Sequence, residues 1–506
     1  MTYDFTTLPD RWDTGAEKYE LMKERCPDVP RGTVPFSVAD MDFLPPPELS
    51  EGVQDFMRGR VFGYTRTPRE YIAAFQRWMQ RRHGVDIPAA WVVDADSVLG
   101  AMHRMIRAFT RPGDGIVVLT PAYPPFLDAP EPLNRRRLDC PMVLGDDRRY
   151  TIDFALLEDL CRRADTTMLI FCNPHNPVGR VWSRQELEQV ADICLRHGVF
   201  LIADEIHADL ILPGHSFVSM ASLEEKYLRN CAVSTSCTKT FNIAAIKGAA
   251  VVMADEERRR VYRAQREDSG RDILSYAACI AVWERCEGWL DELLTVLDGN
   301  FRLLSDFCRD HLPEVGVTPL EATYLPWLDF RFLGMDAKEQ ERFMGEKARC
   351  FFTEGYHFGA EGAGFERWSE LGFDGAVMQP NLVFNDYFET EMLEEFTEII
   401  RKYGLGVEIE TAEPGSFRSA ATRDRSALLY EQYLYYGWKY GYMDTLHTFY
   451  QGAGPGSLYD FCHSNDAYMR SLYDKTYRFI KGTYEMPAPS LSVESTLSVE
   501  AGSKRV

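Results

Sequence analysis

Five residues able to do amine and ring chemistry follow four short apolar runs. Tyr123 comes after GIVVL (Gly115 to Leu119) in T-P-A-Y-P-P-F, and Asn176 after MLIFC (Met168 to Cys172) in N-P-H-N-P-V-G-R. Asp204 and His207 come after VFLIA (Val199 to Ala203) in D-E-I-H, and Lys239 after AVST (Ala232 to Thr235) in S-C-T-K. Singly, each has a plainer reading: a solvated lysine, a packed tyrosine, an asparagine in a turn, an aspartate capping a helix, a histidine satisfied in the core. Together they suit one task, which is to hold a flat, anionic, nitrogen-containing ring joined covalently to an amine.

The roles divide by chemistry. An amine that forms a Schiff base must be partly neutral near pH 7, which burial and nearby positive charge achieve; Lys239 is the candidate. A carboxylate beside the ring nitrogen keeps that nitrogen protonated, and the protonated ring drains electrons from a carbanion; Asp204 is the candidate. Asn176, with His207, offers a donor to a phenolic oxygen, and Tyr123 an aromatic plate for the ring face. A phosphate on the ring needs free backbone N–H groups at a helix start, hydroxyls and a cation. In S-V-L-G-A-M-H-R-M-I (Ser97 to Ile106), apolar Met102, Met105 and Ile106, with Phe109 beyond, face a core, which turns the amides of Val98 and Leu99 outward. Ser236 and Lys247 complete the cradle.

The elements that carry these residues follow from pattern. The four runs, with AAVVM (Ala249 to Met253), are continuously apolar, as strands buried on both faces are. Ser183 with Glu186 three residues on is a capping box, followed by Leu187, Val190, Ala191 and Cys194 on one helical face and Gly198 as the stop. Alternating strands and helices predict an α/β fold with a mostly parallel sheet, whose ligand groups gather at the carboxyl ends of the strands.

Composition narrows the function classes. The 506 residues are 45% apolar and 13% aromatic, enough for two or three packed domains. Lys+Arg 56 against Asp+Glu 77 gives a net charge of −21, which disfavours nucleic acid and anionic membranes as partners. No long uninterrupted apolar stretch and no basic-then-apolar start is present, so a cytoplasmic location is expected. The 12 cysteines include no C-x-x-C pair, which points to reduced core thiols and to no metal site.

On these motifs the chain resembles the fold-type-I pyridoxal-phosphate enzymes of the class I/II aminotransferase superfamily, and among them the cystathionine β-lyase-like C–S lyases. The resemblance rests on FSVADMDFLPPPE (Phe36 to Glu48), FGYT (Phe62 to Thr65), TPAYPPF, NPHNPVGR, ADEIHADL, the Lys239 segment with KTFNIA, and EATYLPWLDF (Glu321 to Phe330), and spans about residues 10 to 405. It implies pyridoxal 5'-phosphate as cofactor, a seven-stranded sheet in a large domain, and a small α/β domain. It also implies a homodimer in which Tyr64 reaches the partner's cofactor phosphate, and a substrate contact near Ala39. The implied reaction frees Lys239 to remove the α proton of an amino substrate; loss of a thiolate from Cβ then gives pyruvate and ammonia, whereas reprotonation at the cofactor carbon gives transamination. The FSVADMDF and KTFNIA wording favours elimination.

Two departures stand out. Family members place an arginine late in the small domain for the substrate carboxylate, yet MQPNLVFNDYFETEML (Met378 to Leu393) has Asn385 and Asp386 and no arginine. Arg367, just upstream in GAGFERW, is the candidate replacement, although an arginine in such a place is more often on the surface; the alternative is a substrate without an α-carboxylate. The second departure is length. The expected layout is an N-terminal arm (1–45), a large cofactor domain (46–290), a small domain (291–405) and a tyrosine-rich helical extension with a polar tail (406–506). Leu429, Tyr433, Tyr436 and Tyr440 share a helical face there, Tyr468 to Ile480 is a second aromatic segment, and LSVE occurs twice. These departures keep open a cofactor-binding regulator or interaction protein with vestigial turnover.

Overall fold

The computed structural model describes residues 3–265 and 272–369. The apolar runs form the middle of a seven-stranded sheet. Its strands are β1 (Val92–Ala95), β2 (Gly115–Thr120), β3 (Arg136–Pro141), β4 (Thr166–Cys172), β5 (Phe200–Asp204), β6 (Cys231–Thr235) and β7 (Ala249–Val252), in the order β1-β7-β6-β5-β4-β2-β3. Neighbours from β3 through β2, β4, β5 and β6 run parallel, and β7 is antiparallel to both β6 and β1. Every residue of β2 and β5 is buried, which is why both read as unbroken apolar runs. The edge strand β3, RRLDCP, is largely exposed and carries charge, so it gives no apolar signal; charged side chains on an edge also discourage pairing with another chain.

Helices cover the sheet. Helix Val98–Phe109 starts at Ser97, whose Oγ accepts the Gly100 amide at 2.9 Å, and it packs Met102, Met105 and Ile106 into the core beside Ile116, Ile170 and Val251. Helix Arg184–His197 has both bonds of the Ser183/Glu186 capping box and ends on Gly198 at φ 68°. A second, antiparallel sheet is built from β8 (Gly316–Val317), β9 (Trp327–Asp329), β10 (Thr353–Glu354) and β11 (Phe365–Arg367) in the order β8-β9-β11-β10. Apart from Asp310–Leu312, the described residues belong to one compact unit. All but Cys26 and Cys350 of the described cysteines are buried, and all are free thiols. Among the described residues no helix is long and apolar enough to cross a membrane. The stretch Met378 to Leu393, the tyrosine face, the segment Tyr468 to Ile480 and the LSVE repeats lie outside the described residues.

Candidate active site

Register brings the strand ends together. Asp204, the last residue of β5, stands opposite Cys172 on one side and Ser234 on the other. One step further the chain leaves each strand: the Asn173 amide bonds Asp204 O at 2.9 Å, and the Glu205 amide bonds Ser234 O at 2.8 Å. Asn176 and Lys239 therefore start from one edge of the sheet. The NPHNPVGR loop is pinned by Arg180, whose Nη1 donates to Glu321 Oε2 at 2.9 Å while the Val181 amide meets the same oxygen at 2.7 Å. Gly179 sits at φ 68°, a conformation that favours glycine, and a Cβ there would stand 2.4 Å from Leu320 Cδ1, next to the start of EATYLPWLDF.

Asp204 is buried, and its Oδ1 accepts the Ile206 amide at 2.9 Å. Burial pushes its carboxyl up to about 7; the Ile206 bond and Lys239 pull the other way, and Glu205 adds to the rise. A carboxyl in that state gains most from a cationic hydrogen-bond donor placed against it. Lys239, partly accessible, donates from Nζ to Ala39 O at 2.6 Å. Burial and the charge of Arg367 bring its amine down to about 8, against the pull of Asp40 and Asp204. The amine is thus poised near the pH at which a proton carrier works best.

The other expected residues fall into three groups. Asn176, His207 and Tyr123 join the site. Asn176 is buried and its Oδ1 accepts Arg367 Nη1 at 3.3 Å. His207 is buried with Nδ1 lacking a partner among the described residues, edge-on to Tyr324, and burial, Lys239 and Arg367 drive its pKa down to about 3, so it stands neutral. Tyr123 is half-buried beside Phe126, with burial raising its phenol and Arg367 opposing. Val98 and Leu99 open their helix with amides that meet no protein acceptor among the described residues, as a phosphate site requires. Ser236, Lys247 and Tyr64 differ from the simplest expectation. The Ser236 hydroxyl donates to Gly248 O at 2.6 Å and accepts the Thr238 amide at 3.1 Å, so it braces its own turn. Lys247 is exposed, and Tyr64 is fully exposed, in contact with neither Lys239 nor Asp204.

Arg367 corrects the expectation of a surface arginine. It is 4% exposed, in the middle strand of the small sheet between Trp327 and Thr353, over the Phe358 ring and bonded to Asn176. Burial lowers its pKa to about 10, so it remains a cation at neutral pH, with Tyr123 and Tyr324 supporting the charge. A buried cation is therefore present beside Asn176, whereas Asn385 and Asp386 lie outside the described residues. The signal was available in GAGFERW: glycines before a strand in which Phe365 and Arg367 alternate onto one face.

Sequence reasoning missed Asn242 and Tyr324. Asn242 lies inside the quoted KTFNIA at φ 54°, where asparagine is tolerated, and bonds the main chain of Met41 and Phe43. Tyr324 donates to Ala39 O at 2.9 Å. The residues fit a phosphorylated pyridine: a buried acid for its nitrogen, a partly neutral amine, a buried asparagine, and a helix start for its phosphate.

A site of this make-up at the carboxyl edge of a mostly parallel sheet defines a class. The chain belongs to the aminotransferase class I and II family, whose sequence profile matches residues 31–368. Within it the chain sits in the cystathionine β-lyase branch: it is 35% identical over 352 residues to cystathionine β-lyase PatB of Bacillus subtilis (strain 168), covering 69% of this chain and 90% of that one. It is 31% identical over 373 residues to the protein MalY of Escherichia coli (strain K12), covering 72% and 93%. Its structure is similar to that of cystalysin from Treponema denticola, which contains a pyridoxal 5'-phosphate cofactor, with a TM-score of 0.74, 38% identity, and 79% of this chain and 100% of that one covered. A second profile, a domain of unknown function (DUF4855), matches residues 339–478 and so overlaps the end of the first.

Proposed function

We propose that the protein is a pyridoxal 5'-phosphate-dependent C–S β-lyase that cleaves cystathionine or another S-substituted cysteine to a thiol, pyruvate and ammonia. The observation that carries this reading is the convergence of a depressed lysine amine and a buried aspartate at one edge of the large sheet with a buried arginine from the small sheet, whose charge acts on the lysine. When bound, pyridoxal phosphate supplies the electron sink that makes the hydrogen on the amino-bearing carbon acidic. Asp204 holds the ring nitrogen's proton, the amides of Val98 and Leu99 bind the phosphate, and Asn176 and Tyr123 orient the ring. Lys239, once free, takes the α proton, and Arg367 grips the substrate carboxylate by its two-pronged guanidinium. The same groups serve transamination; the named activities of the relatives favour elimination.

Val61, Phe62 and Tyr64, 89%, 64% and 109% exposed, form an uncovered apolar segment of the kind that marks an interface. We assign it to a homodimer in which Tyr64 completes the other copy's site, in a cytoplasmic enzyme of small amino compounds. The test is steady-state release of pyruvate from cystathionine, S-alkyl cysteines and cysteine, against keto-acid formation with an α-keto acceptor. Sustained pyruvate supports the lyase, and keto acid without pyruvate refutes it. Arg367→Lys keeps the charge but loses the fork, so KM for cystathionine is expected to rise roughly 10- to 100-fold with kcat changed by less than about threefold.

A further inference from the structure

Lys239 does not stand alone when its amine is free. Its Nζ donates to Ala39 O at 2.6 Å, and Tyr324 donates its hydroxyl to the same oxygen at 2.9 Å. The carbonyl belongs to a segment of the N-terminal arm some 200 residues earlier in the chain, so something must fix it to the lysine turn.

Asn242 does so from the lysine's own turn. Its Oδ1 accepts the Met41 amide at 2.9 Å, and its Nδ2 donates to Met41 O at 2.7 Å and Phe43 O at 2.9 Å. Lys239 and Asn242, three residues apart, thus grip the same short piece of arm at Ala39 and at Met41. Charge from earlier in the arm braces the same piece. Arg11 pairs with Asp40 at 2.9 Å and Asp42 at 2.5 Å, and buried Lys18 pairs with the same two carboxylates at 3.3 and 3.0 Å. Backbone strain supplies an independent sign. Val38 at φ 59° and Thr323 at φ 76° are β-branched residues in the left-handed region, which such side chains rarely adopt. They immediately precede Ala39 and Tyr324, the two residues that meet over the lysine. Strain of this kind persists only where the surroundings over-determine it, and it clusters at functional sites.

We propose that the Ala39 carbonyl is the acceptor that holds the Lys239 amine whenever that amine is free, and that Asn242 and Tyr324 are positioning residues that fix this carbonyl. This rests on the lyase reading above. A carbonyl can only accept, so it takes an N–H and leaves the nitrogen lone pair pointing away from the arm. When the amine gains the α proton, the ammonium keeps a charge-assisted bond to the same oxygen. The lysine therefore returns to one place on every turnover.

The test uses the full-length, cofactor-loaded protein with Asn242→Ala, Tyr324→Phe and the double substitution; the phenylalanine keeps the ring and its packing. In both single variants kcat for pyruvate release is expected to fall by up to about 100-fold, with KM within about threefold. Because both act on one carbonyl, the double variant should be little worse than the poorer single variant. Hydrogen exchange of the peptide spanning 36–43 should speed up in Asn242→Ala, a readout independent of turnover. An unchanged kcat per bound cofactor, a loss confined to KM, or single effects that simply multiply would overturn the proposal. If the unsubstituted protein releases no pyruvate, the lyase reading fails by itself. The exchange result then decides for the arm, and unaltered exchange in Asn242→Ala removes the proposed clasp.

Discussion

Replacing Lys239 with alanine is expected to lower kcat for pyruvate release by about 10⁴-fold or more, since it removes both the covalent attachment point and the proton carrier. The fold should survive. Among the described residues the side chain makes one protein hydrogen bond, to Ala39 O, and the turn around it is held by other groups: Phe241 N to Cys237 O, Ile243 N to Thr238 O, and the Thr240 hydroxyl to Asp209 at 2.8 Å. The variant should therefore bind cofactor without the visible absorption of a lysine-linked one. Retained turnover within tenfold, at full cofactor content, would remove Lys239 from the chemistry.

Asp204→Asn is the second large effect, and its two consequences have opposite signs. Asparagine keeps an oxygen for the Ile206 amide, so the substitution isolates the charge. Without that charge the ring nitrogen is not held protonated, and kcat should fall on the order of 10²- to 10³-fold, as when one preorganised electrostatic contact is removed from an active site. The cofactor-free protein should instead gain stability. The folded carboxyl titrates near 7 against 3.8 as its ordinary value, so the folded state binds the proton more tightly than the unfolded one. Native stability is then undiminished below about pH 4, declines as pH rises towards 7, and bears the full burial cost above it. The gain from asparagine should be absent at pH 3.5 and reach up to roughly 4 kcal/mol at pH 8, less where neighbouring groups relax. Thermal melts of the two cofactor-free proteins at those pH values check it; a gain at pH 3.5 as large as at pH 8 would contradict the burial account.

The sheet's centre was legible because its strands are buried on both faces. GIVVL, MLIFC, VFLIA, AVST and AAVVM each correspond to an observed strand within two residues at either end, and the residues that follow the first four, proline-rich after the first two, include Tyr123, Asn176, Asp204 and Lys239. The edges were not legible. In β1 a buried Asp94 interrupts the apolar run, accepting from the Tyr276 hydroxyl at 2.7 Å, and β3 is a charged edge. Contacts across long stretches of chain were hidden for a different reason. Nothing local to Ala39 announces that its carbonyl faces Lys239, and Lys18 reads as an ordinary surface lysine although it is wholly buried between Asp40 and Asp42. The burial of Arg367 was hidden on the same ground, since most arginines are exposed and its burial depends on β9 and β10 closing around it. A buried cation is stable only where the rest of the fold supplies partners, and those are tertiary facts.

The central claim is that one amine, Lys239, carries the cofactor beside Asp204. Its most direct test is to reduce the cofactor-loaded protein with borohydride, digest it and locate the phosphopyridoxyl mass by peptide sequencing. The expected result is a single label on Lys239; a label on another lysine, or none on a protein that turns over, would contradict it.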